Sequence, residues 1–253
     1  MLEFEDKKIL VTGASRGIGR AVATAFAAHG GKVAVNYRQG EKSALETLDG
    51  LDGDGHVTVQ ADVSLADGAK AAVDESIAGL NGLDIVVNNA GIFREHRLDS
   101  VDFDKWQSSW QKTIGVNLVG PANLCYFAAQ HMIRSGGGRI VNVSSRASFR
   151  GEPKSPAYAA SKAGLNAMSQ SLAIALAPHN IFVGVVAPGF VETDMAASML
   201  AGPEGVAIRA QSPLGRVAKP EEVAHAVLFL ASEGAEFSTG TIIDVNGASY
   251  LRS

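Results

Sequence analysis

Ile9-Leu-Val-Thr-Gly13-Ala-Ser-Arg-Gly17-Ile-Gly19 runs from a short apolar strand, through three glycines, into the helical run Arg20 to His29. Glycine permits a tight turn and lets the backbone approach a ligand closely, and a helix N-terminus offers unpaired N–H groups to an anion. The spacing is G-x-x-x-G-x-G rather than the commoner G-x-G-x-x-G, but strand before and helix after give it the same physics. The stretch predicts a parallel α/β fold with a dinucleotide pyrophosphate held by Gly13, Ser15, Arg16, Gly17, Ile18 and Gly19.

Outward from that turn the beat repeats. Short β-branched runs at Val33–Asn36, Val57–Ala61, Leu83–Val87, Ile140–Val143, Ile181–Val186 and Thr241–Val245 read as further strands. Most alternate with helical runs at Glu41–Leu51, Ala66–Leu80, Phe103–Arg134, Ala157–Ala177 and Glu221–Ala231. Pro121 predicts a bend or break in the long fourth helix. This is the pattern of a doubly wound parallel sheet, about seven strands with helices on both faces. With no linker, repeat or low-complexity segment, residues 1–253 read as one domain. The irregular, Gly/Pro-interrupted segment 190–217 reads either as a substrate lid or as a surface loop.

Composition narrows the class. Of 253 residues, 46% are hydrophobic and 19% charged, enough for a core without staples, and a net charge of -4 gives no sign of a nucleic-acid or anionic-membrane surface. The single cysteine, Cys125, excludes an intramolecular disulfide and reads as a buried small hydrophobe. Met1–Lys8 carries charges of both signs and no signal-peptide core, and no apolar run reaches the ~18 residues of a membrane span. The expectation is a cytoplasmic protein with no membrane, nucleic-acid or metal partner.

Two further stretches carry chemistry. About 20 residues past the glycine turn, this fold usually places an acid on the adenosine ribose. Here Asn36-Tyr37-Arg38 stands at that point, without a carboxylate. Arg38 and Arg16 suit a 2′-phosphate, hence NADP (NADPH); Arg38 reads otherwise as a solvated loop residue. Tyr158-Ala-Ala-Ser-Lys162 puts a phenol and an ammonium four apart on one helix face. A cation within ~4–6 Å lowers a phenol pKa, which makes Tyr158 a candidate acid–base group.

Together, Thr12-Gly-Ala-Ser-Arg-Gly-Ile-Gly19, Asp62-Val63, Asn88-Asn-Ala-Gly91, Asn117, Ser144-Ser145, Tyr158 to Lys162 and Pro188-Gly189 resemble the short-chain dehydrogenase/reductase family over nearly the whole chain. The resemblance implies a Rossmann fold and an oxidoreductase moving a hydride between nicotinamide and a small carbonyl or alcohol substrate. It implies Tyr158 as acid or base, and Lys162 lowering its pKa and binding the nicotinamide ribose. It makes Ser145 the carbonyl's hydrogen-bond partner, with Ser144 facing the strand, and has Asn117 holding a proton-relay water. Asp62 and Val63 would meet the adenine; Asn89, Ala90 and Gly91 would pack beside the cofactor; Pro188, Gly189, Val191 and Thr193 would line its nicotinamide end. The family usually forms homotetramers, and the apolar segment Thr241–Leu251 suits a subunit contact. A non-catalytic NADP sensor on the same fold would typically have lost Tyr158 or Lys162; both are present.

Within the family the chain is most similar to the 3-oxoacyl-acyl-carrier-protein reductase group. That group docks its acidic carrier with arginines where this chain has Gly136 and His179, though Arg134, Arg139 or Lys154 could form a shifted patch. Trp106–Thr113 is longer than usual and would move a helix start or shape a pocket wall. Phe93, Arg94, Arg146, Phe149, Arg150, Phe190, Met195 and Met199 are pocket candidates. Arg146 and Arg150 either meet an anionic or polar substrate or face solvent.

Overall fold

The computed structural model describes residues 3–252; Met1, Leu2 and Ser253, the ends of the range read above as one domain and of the Met1–Lys8 stretch, lie outside it. The chain runs β1 (Lys8–Val11), α1 (Gly17–Ala27), β2 (Lys32–Tyr37), α2 (Glu41–Asp49), β3 (Val57–Gln60), α3 (Ala66–Leu80) and β4 (Ile85–Asn88). There follow α4 (Phe103–Ile114), α5 (Gly120–Ser135), β5 (Gly138–Val143), α6 (Ala147–Arg150), α7 (Pro156–Leu176) and β6 (Ile181–Pro188). Last come α8 (Asp194–Ala201), α9 (Gly205–Arg209), α10 (Pro220–Ala231) and β7 (Ile242–Val245).

The seven strands form one sheet in the order β3-β2-β1-β4-β5-β6-β7, every pair parallel. Both faces are covered, so successive strand side chains enter different cores. Ile9, Val11, Val33, Val35, Val87 and Val143 pack with α1 and α10. Leu10, Ala34, Val59, Val86 and Ile140 pack with α3 and α5. This two-sided burial is why the strands read as unbroken apolar runs.

The bend expected near Pro121 is a π-helical turn, Gly115–Val119, between α4 and α5. Pro121 sits in the first turn of α5 and has no N–H to give the preceding helical turn, where the bonding widens to Gly120 N–H to Gly115 O. A polar chain crosses the sheet behind the strand ends. Asn88 Nδ2 donates to Asn142 Oδ1 (2.7 Å), Asn142 Nδ2 to Ser169 Oγ (2.8 Å), and Ser169 Oγ to Leu165 O (2.6 Å). Cys125 is buried beside Asn88, and burial pushes its thiol up to about 12. The residues of Trp106–Thr113 form no pocket wall. Trp106 and Trp110 pack against fully buried His96, whose Nε2 accepts from Ala157 N at the start of α7.

Candidate active site

The sheet order reverses between β1 and β4, and open α/β sheets bind ligands at such a switch point, at the carboxyl ends of the strands. Thr12 Oγ1 accepts from Asn89 N and Ala90 N (3.0 Å each). Asn89 Nδ2 donates back to Thr12 O (2.9 Å) and Gly13 O (3.2 Å). The glycine turn is thereby fastened to the end of β4. Gly17 holds φ +55°, and no side chain caps α1. A Cβ at Gly19 would lie 2.3 Å from Gly13 O and 2.5 Å from Asn89 Nδ2, so no larger residue fits. An uncapped helix N-terminus behind a glycine-rich turn fits a pyrophosphate.

One cavity of about 530 Å³ runs from this turn to the helix carrying Tyr158. Its wall brings together Gly13, Ser15, Arg16, Gly17, Ile18, Tyr37, Arg38, Asp62, Val63, Asn89, Ala90 and Gly91, and also Ser145, Tyr158, Lys162, Pro188, Gly189, Val191 and Thr193. Gly19 and Asn117 lie behind the wall. Of the pocket candidates, Phe93, Arg146, Arg150, Phe190, Met195 and Met199 line it, and Arg94 and Phe149 do not. Phe149 instead stacks with Arg252, 4.5 Å from its ring.

At the ribose end Tyr37 is buried in the core, and burial raises its phenol pKa. Arg38 is half exposed, 3.6 Å from the Asp62 carboxylate. Burial pushes Asp62 upward, but two hydrogen bonds from Ser64 and the Arg38 charge outweigh it and hold the carboxyl below its ordinary value. Arg16 stands 3.8 Å from Asp194 at the start of α8. Both arginines thus have acidic neighbours that lie far off in sequence.

At the reactive end Tyr158 stacks edge-on against Phe93, with centroids 5.2 Å apart. The expected lowering of its pKa is reversed. Burial raises it; a Ser145 hydrogen bond opposes, and the Glu152 charge adds to the rise. Lys162 does not offset this. Its Nζ lies 5.9 Å from the Tyr158 ring centroid and donates to Val143 O (2.7 Å), and burial pushes its own pKa down to about 8. Ser145 Oγ accepts from Ala147 N (3.1 Å), while Ser144 turns inward toward Lys162 O (3.3 Å).

Asn117 lies in the π-turn, fully buried. Its Oδ1 accepts from Ile92 N (2.9 Å), and its Nδ2 donates to Ile92 O (3.0 Å) and Ser161 Oγ (3.2 Å). That carboxamide is committed to protein partners, so its evident work is to tie the strand-end loop after β4 to α7. Ser161, which accepts from Asn117 and donates to Tyr158 O (2.7 Å), escaped the sequence reading although it stands inside the Tyr/Lys motif. So did Gln211 and Ser249, whose neighbours in sequence carry no sign of a site.

Among the described residues, no group of three or more His, Cys, Asp or Glu could hold a metal ion, and no helix is long and apolar enough to cross a membrane.

Comparison with known proteins agrees with this geometry. A family model described as enoyl-(acyl carrier protein) reductase matches residues 13–248. The 3-oxoacyl-[acyl-carrier-protein] reductase FabG of Aquifex aeolicus is 39% identical, over 98% of this chain and 99% of that protein. The 3beta-hydroxysteroid dehydrogenase 1 of Eggerthella lenta is 38% identical, over 98% of this chain and 95% of that protein. A solved dehydrogenase/reductase from Sinorhizobium meliloti superposes with a TM-score of 0.88 at 30% identity, over 98% of this chain and 97% of that one. A parallel seven-stranded sheet with a dinucleotide cleft at its switch point, and full-length likeness to such enzymes, make this chain a member of the short-chain dehydrogenase/reductase family, an oxidoreductase that exchanges hydride between a nicotinamide cofactor and a CH–OH/C=O group.

Proposed function

We propose that the chain is an NADPH-dependent reductase of a small carbonyl compound, running in reverse as an alcohol dehydrogenase. The observation that supports this best is the convergence of Ser145, Tyr158 and Lys162 on the same cavity wall as the glycine turn. When bound, the nicotinamide supplies or accepts the hydride. The Ser145 hydroxyl holds the substrate carbonyl. Tyr158 donates its phenolic proton to the carbonyl oxygen as charge develops there. The Lys162 ammonium supplies positive potential beside Gly91, where a nicotinamide ribose would lie. Asn117 keeps α7 and the loop after β4 in fixed relation. Asp62 and Val63 flank the adenine end, and Asn89 to Gly91, Pro188, Gly189, Val191 and Thr193 the rest of the cofactor.

Residues 190–217 serve as the lid over one continuous domain. Its stems are pinned together by Glu192 N to Ala218 O (2.9 Å) and Ala218 N to Phe190 O (3.0 Å). Lys154 Nζ reaches Glu204 (2.8 Å) from the opposite wall. A cytoplasmic homotetramer completes the reading; exposed Ile174, Phe237 and Leu251 offer apolar surface for subunit contacts.

NADP rather than NAD rests on Arg38 and Arg16. Their ion pairs with Asp62 and Asp194 are loose and solvated, worth no more than about 1 kcal/mol, so a 2′-phosphate can displace them. Steady-state kinetics should show NADPH preferred over NADH. Arg38→Asp should cut the NADPH efficiency by about 10–100-fold, the worth of one charged hydrogen-bonding partner. Equal efficiency with the two cofactors in the wild type would sink the assignment.

The likeness to the Aquifex aeolicus reductase favours a second reading, reduction of a 3-oxoacyl group on acyl-carrier protein. Gly136 and His179 are exposed and offer an acidic carrier no strong cation. Of the alternative patch, Arg139 is engaged by Glu236 (2.5 Å) and Lys154 by Glu204, which leaves exposed Arg134 without an ion pair among the described residues. Electrostatic steering speeds association and fades with salt. A 3-oxoacyl chain on the carrier should therefore react no faster than the same chain on a small thiol, at low or high salt. A large carrier advantage that collapses with salt would restore the second reading.

A further inference from the structure

Arg146 is the residue that the chemistry above leaves unexplained. It is 5% exposed, yet it is an arginine. Its Nη1 donates to Ser249 Oγ (2.5 Å) and its Nη2 to Gln211 Oε1 (2.8 Å). Both partners are neutral. Among the described residues no carboxylate lies within 4.0 Å of it, although most other arginines here have one. A buried cation without a counter-charge is expensive, because desolvation is not repaid by Coulomb attraction. Burial and the neighbouring Arg150 charge push the guanidinium down to about 10, and Glu152 offsets them only in part.

The guanidinium is also well held. Gln211 comes from the lid side, Ser249 from the segment after β7, and the Phe190 ring lies 5.4 Å below. Two of its five N–H donors are used, so three remain for a planar, forked acceptor. Arg146 follows Ser145 directly and lines the cavity that holds the Ser145 hydroxyl and the Tyr158 phenol. The other charges at that end are Lys162, Arg150, Glu152 and the mutually paired Lys154 and Glu204. Arg150 also leans on Gln211 Oε1, at 3.5 Å. Three cations, Arg146, Arg150 and Lys162, thus face one unpaired acid.

We infer that Arg146 is a substrate-binding residue for an anionic group, and that the carbonyl compound turned over is an oxo acid whose carboxylate docks on Arg146 while its ketone lies at Ser145 and Tyr158. The inference rests on the carbonyl-reductase reading of the same site. A long neutral acyl chain would instead lie against an uncompensated charge. The competing role is purely structural, with Arg146 fastening the lid to the C-terminal segment; that role would move stability but not discrimination between substrates.

The test uses the full chain with saturating NADPH and oxo acids whose ketone stands two, three, four or five carbons along from the carboxylate, each against its own methyl ester. Wild type should favour the acid over the ester in kcat/KM by about 10–100-fold at the best-fitting length, the worth of a charged hydrogen-bonded contact. Arg146→Gln should bring that ratio toward one, chiefly through KM for the acid. Arg146→Lys, which keeps the charge and loses the fork, should fall between and serves if the glutamine variant does not fold. Esters preferred at every length, or a ratio untouched by both variants, would overturn the inference and leave the reductase reading standing. If no oxo compound consumes NADPH, the reductase reading itself falls. Thermal protection of the NADPH-loaded protein by glutarate against glutaramide then decides Arg146 alone. Stronger protection by glutarate supports the anion site, and equal protection rejects it.

Discussion

Tyr158→Phe should lower turnover by ~10²–10⁴-fold, the usual range of a general acid–base contribution, while NADPH still binds. The substitution keeps the ring against Phe93 and removes only the hydroxyl, on the cavity wall that Ser145 shares. The pH dependence sharpens the test. Burial, reinforced by Glu152, raises the phenol pKa above its ordinary value of 10.0, so the phenol is fully protonated at neutral pH. Reduction needs that proton and should be flat through neutrality; oxidation needs it gone and should climb as pH rises into the alkaline range. A phenylalanine variant that keeps most of its activity, or oxidation that falls with rising pH, would place the proton donor on another group.

Lys162→Met should do two opposite things. Turnover should fall by about 10²-fold or more, the cost of removing a preorganised positive donor from a reacting centre. The folded protein, however, should become more stable at pH 7. The buried ammonium has its pKa pushed from 10.5 down to about 8, so the unfolded chain holds this proton more tightly than the folded one. The unfolded state therefore binds more protons between those two values, and stability at this position rises with pH across that window. Below pH 8 the whole desolvation cost is present. Thermal melts should show methionine above wild type at pH 7 and the gap narrowing toward about pH 10. The lost bond leaves the buried Val143 O without its donor, which costs about 1–3 kcal/mol and opposes the gain. A methionine variant that melts below wild type at pH 7 would mean that the ammonium is a net stabiliser.

The fold was legible because its signals are local. Strand, glycine turn and helix follow one another within Ile9–His29, and two-sided burial leaves a plain apolar run for each strand. Helix ends were legible where Pro or Gly marked them. The two helices inside the lid, α8 and α9, were not, because Gly202-Pro203 reads as a break whether or not helices flank it. In the site, the residue set was legible and the electrostatics were not. Asp62 meets Arg38, and Asp194 meets Arg16, across gaps in sequence that only the fold closes. The Tyr158–Lys162 spacing predicts a shared helix face, but the direction of a four-carbon side chain depends on its acceptor, here Val143 O on β5. Arg146 was ambiguous because its burial is decided by Gln211 and Ser249, more than sixty residues away.

The polar chain through Asn88, Asn142 and Ser169 bears on how this sheet finds its alignment. Strands with apolar side chains on both faces can slide past one another at little cost, since each Val or Ile meets an equivalent neighbour after the slip. Asn88 lies opposite Asn142 in the β4–β5 ladder. A two-residue slip would set it against Ile140 or beyond the end of β5 and strand both carboxamides in the core, each at about 1–3 kcal/mol. The central pair of strands is thus keyed like a lock, by one polar couple among interchangeable apolar ones. Because Asn142 also grips Ser169, the same key sets the rotation and height of α7 on the sheet. Strand alignment and placement of the phenol-bearing helix thus depend on the same hydrogen-bonded element.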